Sequence, residues 1–264
     1  MLVRSTGADM TCITPISLAY DRAMAASRAS TFTSALTSAF VPIPGGWFTM
    51  GTERGQDDER PQHRVFVDPF ELGAYPVTRA AYEDFVAAAG HEPPRGWERP
   101  ELGQPDLPVV GVSWLDAVEY CAWRSDGERR TVRLPTEAEW EFAARGSHDA
   151  LFPWGDVIPD WIPNGGRGPL TAPWPVTLGE ATDFGLYGIS TNVHEWCADW
   201  WDKDYYSRSP ERNPAGADGG VRRASRGGAW RHAYTICRVT LRSKLDPSFR
   251  YDDYSFRLAR DVQV

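Results

Sequence analysis

The sequence predicts a single α+β domain with little regular secondary structure. The chain of 264 residues is long enough to bury a sizeable core. Its 24 glycines and 21 prolines interrupt long helices, and its 12 tryptophans are typical of aromatic anchors in a loop-rich core. Three short segments carry helix-capping signals, whereas the C-terminal segment alternates aromatic or apolar residues with arginine, as half-buried strands do.

Composition also indicates where the domain begins and ends and which classes of function are not expected. Residues 1–40 are rich in Ala, Ser and Thr. We interpret them either as a disordered leader or as the result of a start codon assigned too far upstream. The domain is therefore expected at 41–262. A net charge of −8 and a pI near 5.2 argue against nucleic-acid binding. The lack of any 18-residue apolar run argues against a membrane span, and four unevenly spaced cysteines indicate a reducing, cytoplasmic environment.

The N-terminal part predicts two strands and a helix. Residues 43–51 follow a turn and indicate a strand, and Val65–Val67 indicates a second, shorter one. Thr78 is a helix-capping residue type, and Gly90 ends the apolar stripe that follows it. The stripe consists of Tyr82, Phe85, Val86 and Ala89.

Two further helices follow in the middle of the chain. Ser113 with Asp116 forms an imperfect capping box, and Thr136 with Glu139 forms a full one before a helix that ends near Gly146. The inner face of the first of these helices is predicted to hold Trp114, Ala117, Val118 and Cys121.

The C-terminal segment 225–260 predicts two strands around a loop-rich excursion. It opens with RGGAW and closes with YSFRLAR, and we expect the two strands to pair. Strands near the two ends of the domain are likewise expected to pair and to bring its termini together.

Several motifs in one order give this sequence a family resemblance. They are IPGGWFTMG, RLPTEAEWEFAARG, FPWGD, GLYGISTNVHEW and the RGGAW…FRLAR frame. From Ile43 to Asp261 the chain resembles the formylglycine-generating-enzyme (sulfatase-modifying factor) family. This resemblance implies a C-type-lectin-like fold with a low content of regular secondary structure.

The resemblance implies a calcium site in the GLYGISTNVHEW segment. The family binds calcium there through backbone carbonyls and a glutamate, which map to Thr191, Val193 and Glu195. Near the start of this segment the family has an Asp or Asn side chain as a further calcium ligand, and Gly188 occupies that position here. The alternative is a structural turn in which Glu195 pairs with an arginine.

The resemblance also implies a copper site that this sequence has altered. Formylglycine-generating enzymes hold copper(I) between two cysteines, and the corresponding positions are His232 and Cys237. Ala229 stands where the family has a serine in that motif, and His194 stands where the family has the first tryptophan of NVWEW. Because both thiolates are needed to oxidise a cysteine to formylglycine, that activity is not expected here.

The replacements are nevertheless metal-ligand types. His194, His232 and Cys237 map to positions that the family brings near one pocket, and imidazole with thiolate suits copper, iron or zinc. They are therefore the candidate catalytic and metal-binding residues. The alternative is that His232 is a polar pocket residue and Cys237 a buried small one.

The excursion between the two C-terminal strands supplies candidate ligand-binding residues. Arginine and tyrosine recognise carboxylates, phosphates and peptide backbone, although ordinary surface charge explains any single one. The candidates are Arg231, Tyr234, Arg242, Arg250 and Tyr251. The sequence thus favours a metal-dependent oxidase acting on a peptide or small polar substrate. The alternative is a non-catalytic module that binds a ligand or partner protein through residues 231–255.

Overall fold

The computed structural model describes residues 39–147 and 150–263. Most of the predicted leader, up to residue 38, lies outside the described residues. Within them the strands are β1 Phe40–Ile43, β2 Gly46–Met50, β3 His63–Val67, β4 Phe70–Gly73, β5 His194–Trp200, β6 Arg223–Arg226, β7 Arg242–Leu245, β8 Tyr254–Ser255 and β9 Ala259–Asp261. The helices are α1 Arg79–Ala89, α2 Trp114–Glu128 and α3 Glu137–Arg145. The predicted α+β class with little regular structure is confirmed.

The three helices begin at the predicted capping residues. The Thr78 hydroxyl accepts a hydrogen bond from Ala81 N–H. Ser113 forms a reciprocal capping box with Asp116, so this box is complete. The inner face predicted for α2 is wrong at Val118, whose exposed fraction is 37%. Val118 lies about 100° around the helix from the buried Ala117, which turns it away from the core.

The two ends of the domain meet in one sheet, although their strands do not pair directly. This antiparallel sheet has the order β1-β4-β9, so β4 lies between the terminal strands. The predicted direct pairing is therefore wrong, because β4 uses both of its edges. Strands β2 and β3 form a separate antiparallel pair.

The remaining sheet positions the functional site. Its order is β7-β6-β5-β8, and β5 pairs antiparallel with β6 and parallel with β8. The two C-terminal strands that were expected to pair with each other therefore lie on opposite sides of β5. His194, the first residue of β5, is opposite Tyr254 of β8. This register brings the start of β5 to the residues that precede β8.

A buried network of ion pairs fastens α3 to this sheet. Arg226 donates hydrogen bonds to Glu137 and Glu141, and all three side chains are almost fully buried. Arg242 makes a two-pronged contact with Glu137 at 3.0 and 2.7 Å, and Arg145 donates to Glu141 at 2.9 Å. The carboxylates of Glu137 and Glu141 are therefore structural, since each is matched by arginine in the core.

Candidate functional site

Two histidines and an aspartate come together at the start of β5. The ring centroids of His194 and His232 are 5.0 Å apart. One ligand atom from each of His194, His232 and Asp253 lies within 4.8 Å of the other two. Backbone bonds hold the group in place, because Asp253 C=O accepts from His194 N–H at 2.9 Å. These residue types at this separation are a candidate metal centre.

His194 offers a free ring nitrogen inside the protein. Its exposed fraction is 5%, and its Nδ1 has no hydrogen-bond partner within the described part of the chain. Burial and, to a lesser extent, the neighbouring His232 lower the pKa of His194 to about 3, against the opposing effect of a hydrogen bond with the Gly227 backbone. The ring is therefore neutral near neutral pH, which is the form that binds a metal.

His232 and Asp253 complete the group from two different loops. Ala229 N–H donates to His232 Nδ1 at 3.3 Å, so the neutral ring carries its proton on Nε2. A metal at Nε2 displaces that proton and the Ala229 bond, which is worth only about 1 kcal/mol. Burial lowers the pKa of His232 and raises that of Asp253, while Arg231 and His232 lower the Asp253 pKa.

Asp253 was missed in the sequence because nothing in its spacing marks it. It directly precedes β8, and only the parallel pairing of β8 with β5 brings it beside His194. A short strand of two residues such as Tyr254–Ser255 gives too little periodicity to predict that pairing.

An open cleft of about 460 Å³ gives access to the three ligand residues. The exposed fraction of Tyr251 is 42% and that of Ile236 is 41%, so both offer apolar surface at this cleft. Tyr254 packs on the His194 ring at 4.7 Å, and its hydroxyl lies 3.0 Å from the Ser243 hydroxyl. The cleft has the size and mixed lining of a small-molecule or peptide-side-chain site.

Cys237 lies apart from this metal-ligand group. Its exposed fraction is 2%, and it lines a narrow cavity of about 20 Å³ that His232 also borders. Burial raises the pKa of Cys237 to about 12, so its sulfur is a protonated thiol. A Cβ on Gly228 would lie 2.4 Å from Sγ, so the second glycine of RGG makes room for the sulfur. Cys237 is therefore placed as a buried small residue, not as a partner of His194.

Glu195 does not have the free carboxylate that calcium binding needs. Arg257 donates to both of its oxygens at 2.6 and 2.7 Å, and Trp140 Nε1 donates at 2.7 Å. Both Glu195 and Arg257 are fully buried. The structure thus favours the arginine-paired turn over a calcium site built from Thr191, Val193 and Glu195.

Two predicted ligand-binding arginines are occupied by carboxylates of the domain. Arg242 lines the open cleft, but its side chain is buried and bound to Glu137 in the network described above. Arg250 binds Asp116 at 2.7 Å and Glu92 at 3.0 Å.

The other three predicted ligand-binding residues are more accessible. Arg231 pairs with Asp252 at 2.6 Å but keeps 37% of its side chain exposed. Tyr234 packs against Phe152 and lines the narrow cavity rather than the open cleft. Tyr251 alone among these five candidates is an exposed residue lining the open cleft.

The structure is an α+β domain with an open cleft at the start of β5, and the cleft is lined by side chains that can bind a metal. The sequence matches the FGE-sulfatase family, described as "Sulfatase-modifying factor enzyme 1-like domain", over residues 26–262. The chain therefore belongs to this family. The match begins before the predicted domain boundary at residue 41.

Relatives and solved structures agree with this assignment. The chain is 33% identical to the formylglycine-generating enzyme of Bos taurus, over 84% of this chain and 74% of that protein. It is 32% identical to the formylglycine-generating enzyme of Streptomyces coelicolor, over 86% of this chain and 91% of that protein. The structure of PvdO from Pseudomonas aeruginosa is similar, with a TM-score of 0.70, 28% identity and coverage of 84% and 94%.

The copper site implied by the family does not fit the residues present here. Copper(I) in a two-coordinate thiolate site needs two soft, deprotonated sulfurs. This chain has an imidazole at one position, His232, so only one thiol remains, and that thiol, Cys237, is enclosed in the core. Among the described helices, none has the length and apolar character to cross a membrane.

Proposed function

We propose that this protein is a metal-dependent oxidoreductase of the family, with its metal held by His194, His232 and Asp253. Its substrate is a peptide or small polar molecule that binds in the open cleft. The observation that carries this proposal is the convergence of the three ligand atoms within 4.8 Å at that cleft. The buried, unpartnered Nδ1 of His194 supports it, because buried polar atoms in proteins usually have a partner.

The donor set favours iron(II) over copper(I). Two imidazoles and a carboxylate, with coordination positions left open, are the ligand set of non-haem iron oxygenases. A carboxylate is a hard ligand, and its presence moves the preference away from the copper(I) that paired thiolates select. A bound iron would supply redox chemistry with dioxygen, next to substrate in the cleft.

The residues of the chain would orient the metal ligands and the substrate. The backbone bond from His194 N–H to Asp253 C=O fixes two of the ligands relative to each other. Tyr254 supports the His194 ring from one side, and Tyr251 presents an exposed aromatic face to a substrate in the cleft. Cys237 has no part in this centre.

The test is metal binding by the full-length protein. Purified chain is freed of metal, reconstituted anaerobically with iron(II) or cobalt(II), and assayed for metal content and for cobalt absorption. The variants His194→Ala and Asp253→Asn are expected to bind at least tenfold more weakly. Cys237→Ala and His63→Ala are matched controls, since Cys237 lies apart from the ligand atoms and His63 bonds Pro61 C=O at 3.0 Å elsewhere.

Two results would overturn the proposal. Loss of metal in Cys237→Ala with full retention in Asp253→Asn would restore a thiolate site. Absence of metal binding and of oxygen uptake, with intact binding of peptide or partner protein, would instead establish the non-catalytic module. That module has less support, because Arg231, Arg242 and Arg250 of its loop are all paired with carboxylates of the domain.

A further inference from the structure

Strand β7 forms one edge of its sheet, and this edge borders the open cleft. In the order β7-β6-β5-β8 it pairs with β6 alone within the described part of the chain. Its residues 242–245 make no main-chain hydrogen bond or bridge to any other described segment. An edge strand presents a row of main-chain N–H and C=O groups that another chain can pair with. The outer edge of β7 therefore has main-chain groups free to pair beside the candidate metal centre.

The cleft reaches the main chain of β7 and not only its side chains. Consecutive side chains of a strand point to opposite faces of the sheet, yet every residue from Leu241 to Leu245 lines the cleft. The side chain of Arg242 is 0% exposed, whereas the residue as a whole is 3% exposed. The exposed area of Arg242 therefore belongs to its main chain. Because the cleft meets both faces of β7 and its main chain, it runs along the free edge of the strand.

The two faces of β7 lead to different parts of the cleft. On one face, the Ser243 hydroxyl lies 3.0 Å from the Tyr254 hydroxyl, and the Tyr254 ring packs on His194 at 4.7 Å. On the other face, Lys244 Nζ lies 3.0 Å from the Asp58 carboxylate. The side chains of a strand added beside β7 would alternate between the same two faces. Every second side chain of such a strand would therefore face the candidate metal centre.

We propose that the cleft binds an extended peptide, which joins the sheet as a further strand along the free edge of β7. This inference narrows the proposed function, on which it rests for the reaction at the metal centre. A small polar molecule has no repeating amides to match the edge of a strand, whereas a peptide has them at the required spacing. In this binding mode the main-chain hydrogen bonds supply affinity, and the alternate side chains supply selectivity.

A selected peptide tests this pairing. The metal-free full chain is used to select a binder from a display library of random peptides of about seven residues, the length that spans β7 with a margin. The selected peptide is then synthesised with each main-chain nitrogen methylated in turn, which removes one N–H donor at a time. In a strand, alternate N–H groups point to the neighbouring strand. Methylation at every second residue should therefore weaken binding at least about tenfold, and methylation between them should change it less than about twofold.

Amide hydrogen exchange locates the bound peptide. The β7 amides that point away from β6 should exchange at least about tenfold more slowly in the complex, because they become hydrogen-bonded. The amides of β1, an edge strand of the other sheet, are the matched control and should not change. Asp253→Asn removes a metal ligand and should bind the peptide like the wild type. If the wild type binds the peptide and no metal, the oxidoreductase proposal fails and the strand pairing stands.

Four results would overturn the strand pairing. They are a library that yields no binder, a methylation scan without a period of two, unchanged exchange across β7 in the complex, and loss of peptide binding in Asp253→Asn. The last result would show that the metal-ligand group, and not the strand, holds the peptide. Sedimentation tests a further occupant of the edge, because a dimer with protected β7 amides would assign it to a second copy of the chain and exclude a peptide.

Discussion

Strands β5 and β6 support two buried polar regions that differ in one respect. Beneath α3, Arg226 and Arg242 match the charges of Glu137 and Glu141 at hydrogen-bond distance. At the start of β5, His194 is equally buried but leaves Nδ1 without a partner within the described residues. We call the first group the paired region, because its carboxylates are matched by arginine, although Arg226 Nε has no partner among the described residues. We call the second group the unpaired region, because its free nitrogen is a metal-ligand atom beside an open cleft. An unpaired buried polar atom is costly, and one that belongs to a metal-ligand residue beside a cleft can be satisfied by a ligand.

The same contrast separates the two elements that the family resemblance had linked to metals. Glu195 is only one residue from His194, yet both of its oxygens are bound by Arg257. Adjacent residues on one strand point to opposite faces of the sheet. One face of β5 therefore supplies structure through Glu195, and the other supplies the candidate metal centre through His194.

The largest effect is expected from breaking the paired region. Arg226→Met leaves Glu137 and Glu141 with one arginine fewer inside the protein, so the free energy of unfolding should fall by about 3–5 kcal/mol. Urea unfolding monitored by tryptophan fluorescence measures it. Arg212→Met is the matched control, because its pair with Asp68 is 3.5 Å long and mostly exposed, and should cost less than about 1 kcal/mol. Equal losses in the two variants would contradict the contrast.

The paired region was easier to predict from the sequence than the unpaired one. Thr136 with Glu139 is a local signal that spans four residues, so the start of α3 could be predicted from neighbouring residues. That the carboxylates of α3 serve capping and ion pairing also follows from residue type. Which arginines they meet does not, because Arg226 and Arg242 are about a hundred residues away in the chain.

The candidate site depends on strand order, which short strands do not encode. The motifs pointed to His194 and His232 through the family resemblance, but they also pointed to Cys237, which lies in a separate cavity. Asp253 enters only because β8 pairs with β5 and not with β6. A sequence pattern of period two gives the face of a strand and leaves its neighbours undetermined.

A second prediction concerns Asp199, a buried carboxyl group at the edge of the paired region. It accepts a hydrogen bond from Glu137 N–H at 2.9 Å. Burial and then the Glu137 charge raise the pKa of Asp199 to about 8. The folded state therefore holds a proton that the unfolded state releases above a pKa of about 4, so this residue lowers the free energy of unfolding as pH rises towards 8.

Asp199→Asn removes this titration. Between pH 5 and 7 the wild type should lose stability relative to the variant by roughly 2 kcal/mol, since one proton contributes at most about 1.4 kcal/mol per pH unit. Urea unfolding of both proteins across that range gives the difference. A constant difference between them at all pH values would show that Asp199 is ionised in the folded state, and that the paired region tolerates a further charge.

The smallest effect on stability is expected from a substitution of His194 in the unpaired region. It is the most direct test of the difference between the two regions. His194→Phe keeps a ring against Tyr254 and removes both the unpartnered Nδ1 and the hydrogen bond to the Gly227 backbone. These two effects oppose each other, so the free energy of unfolding of the metal-free variant should differ from that of the wild type by no more than about 1 kcal/mol. Chemical unfolding with a chelator present measures this, and cobalt(II) titration of the same samples should show that metal binding is lost. If His194→Phe instead cost as much as Arg226→Met, the His194 ring would be a structural element like the paired arginines. The unpaired nitrogen would then no longer mark a ligand site.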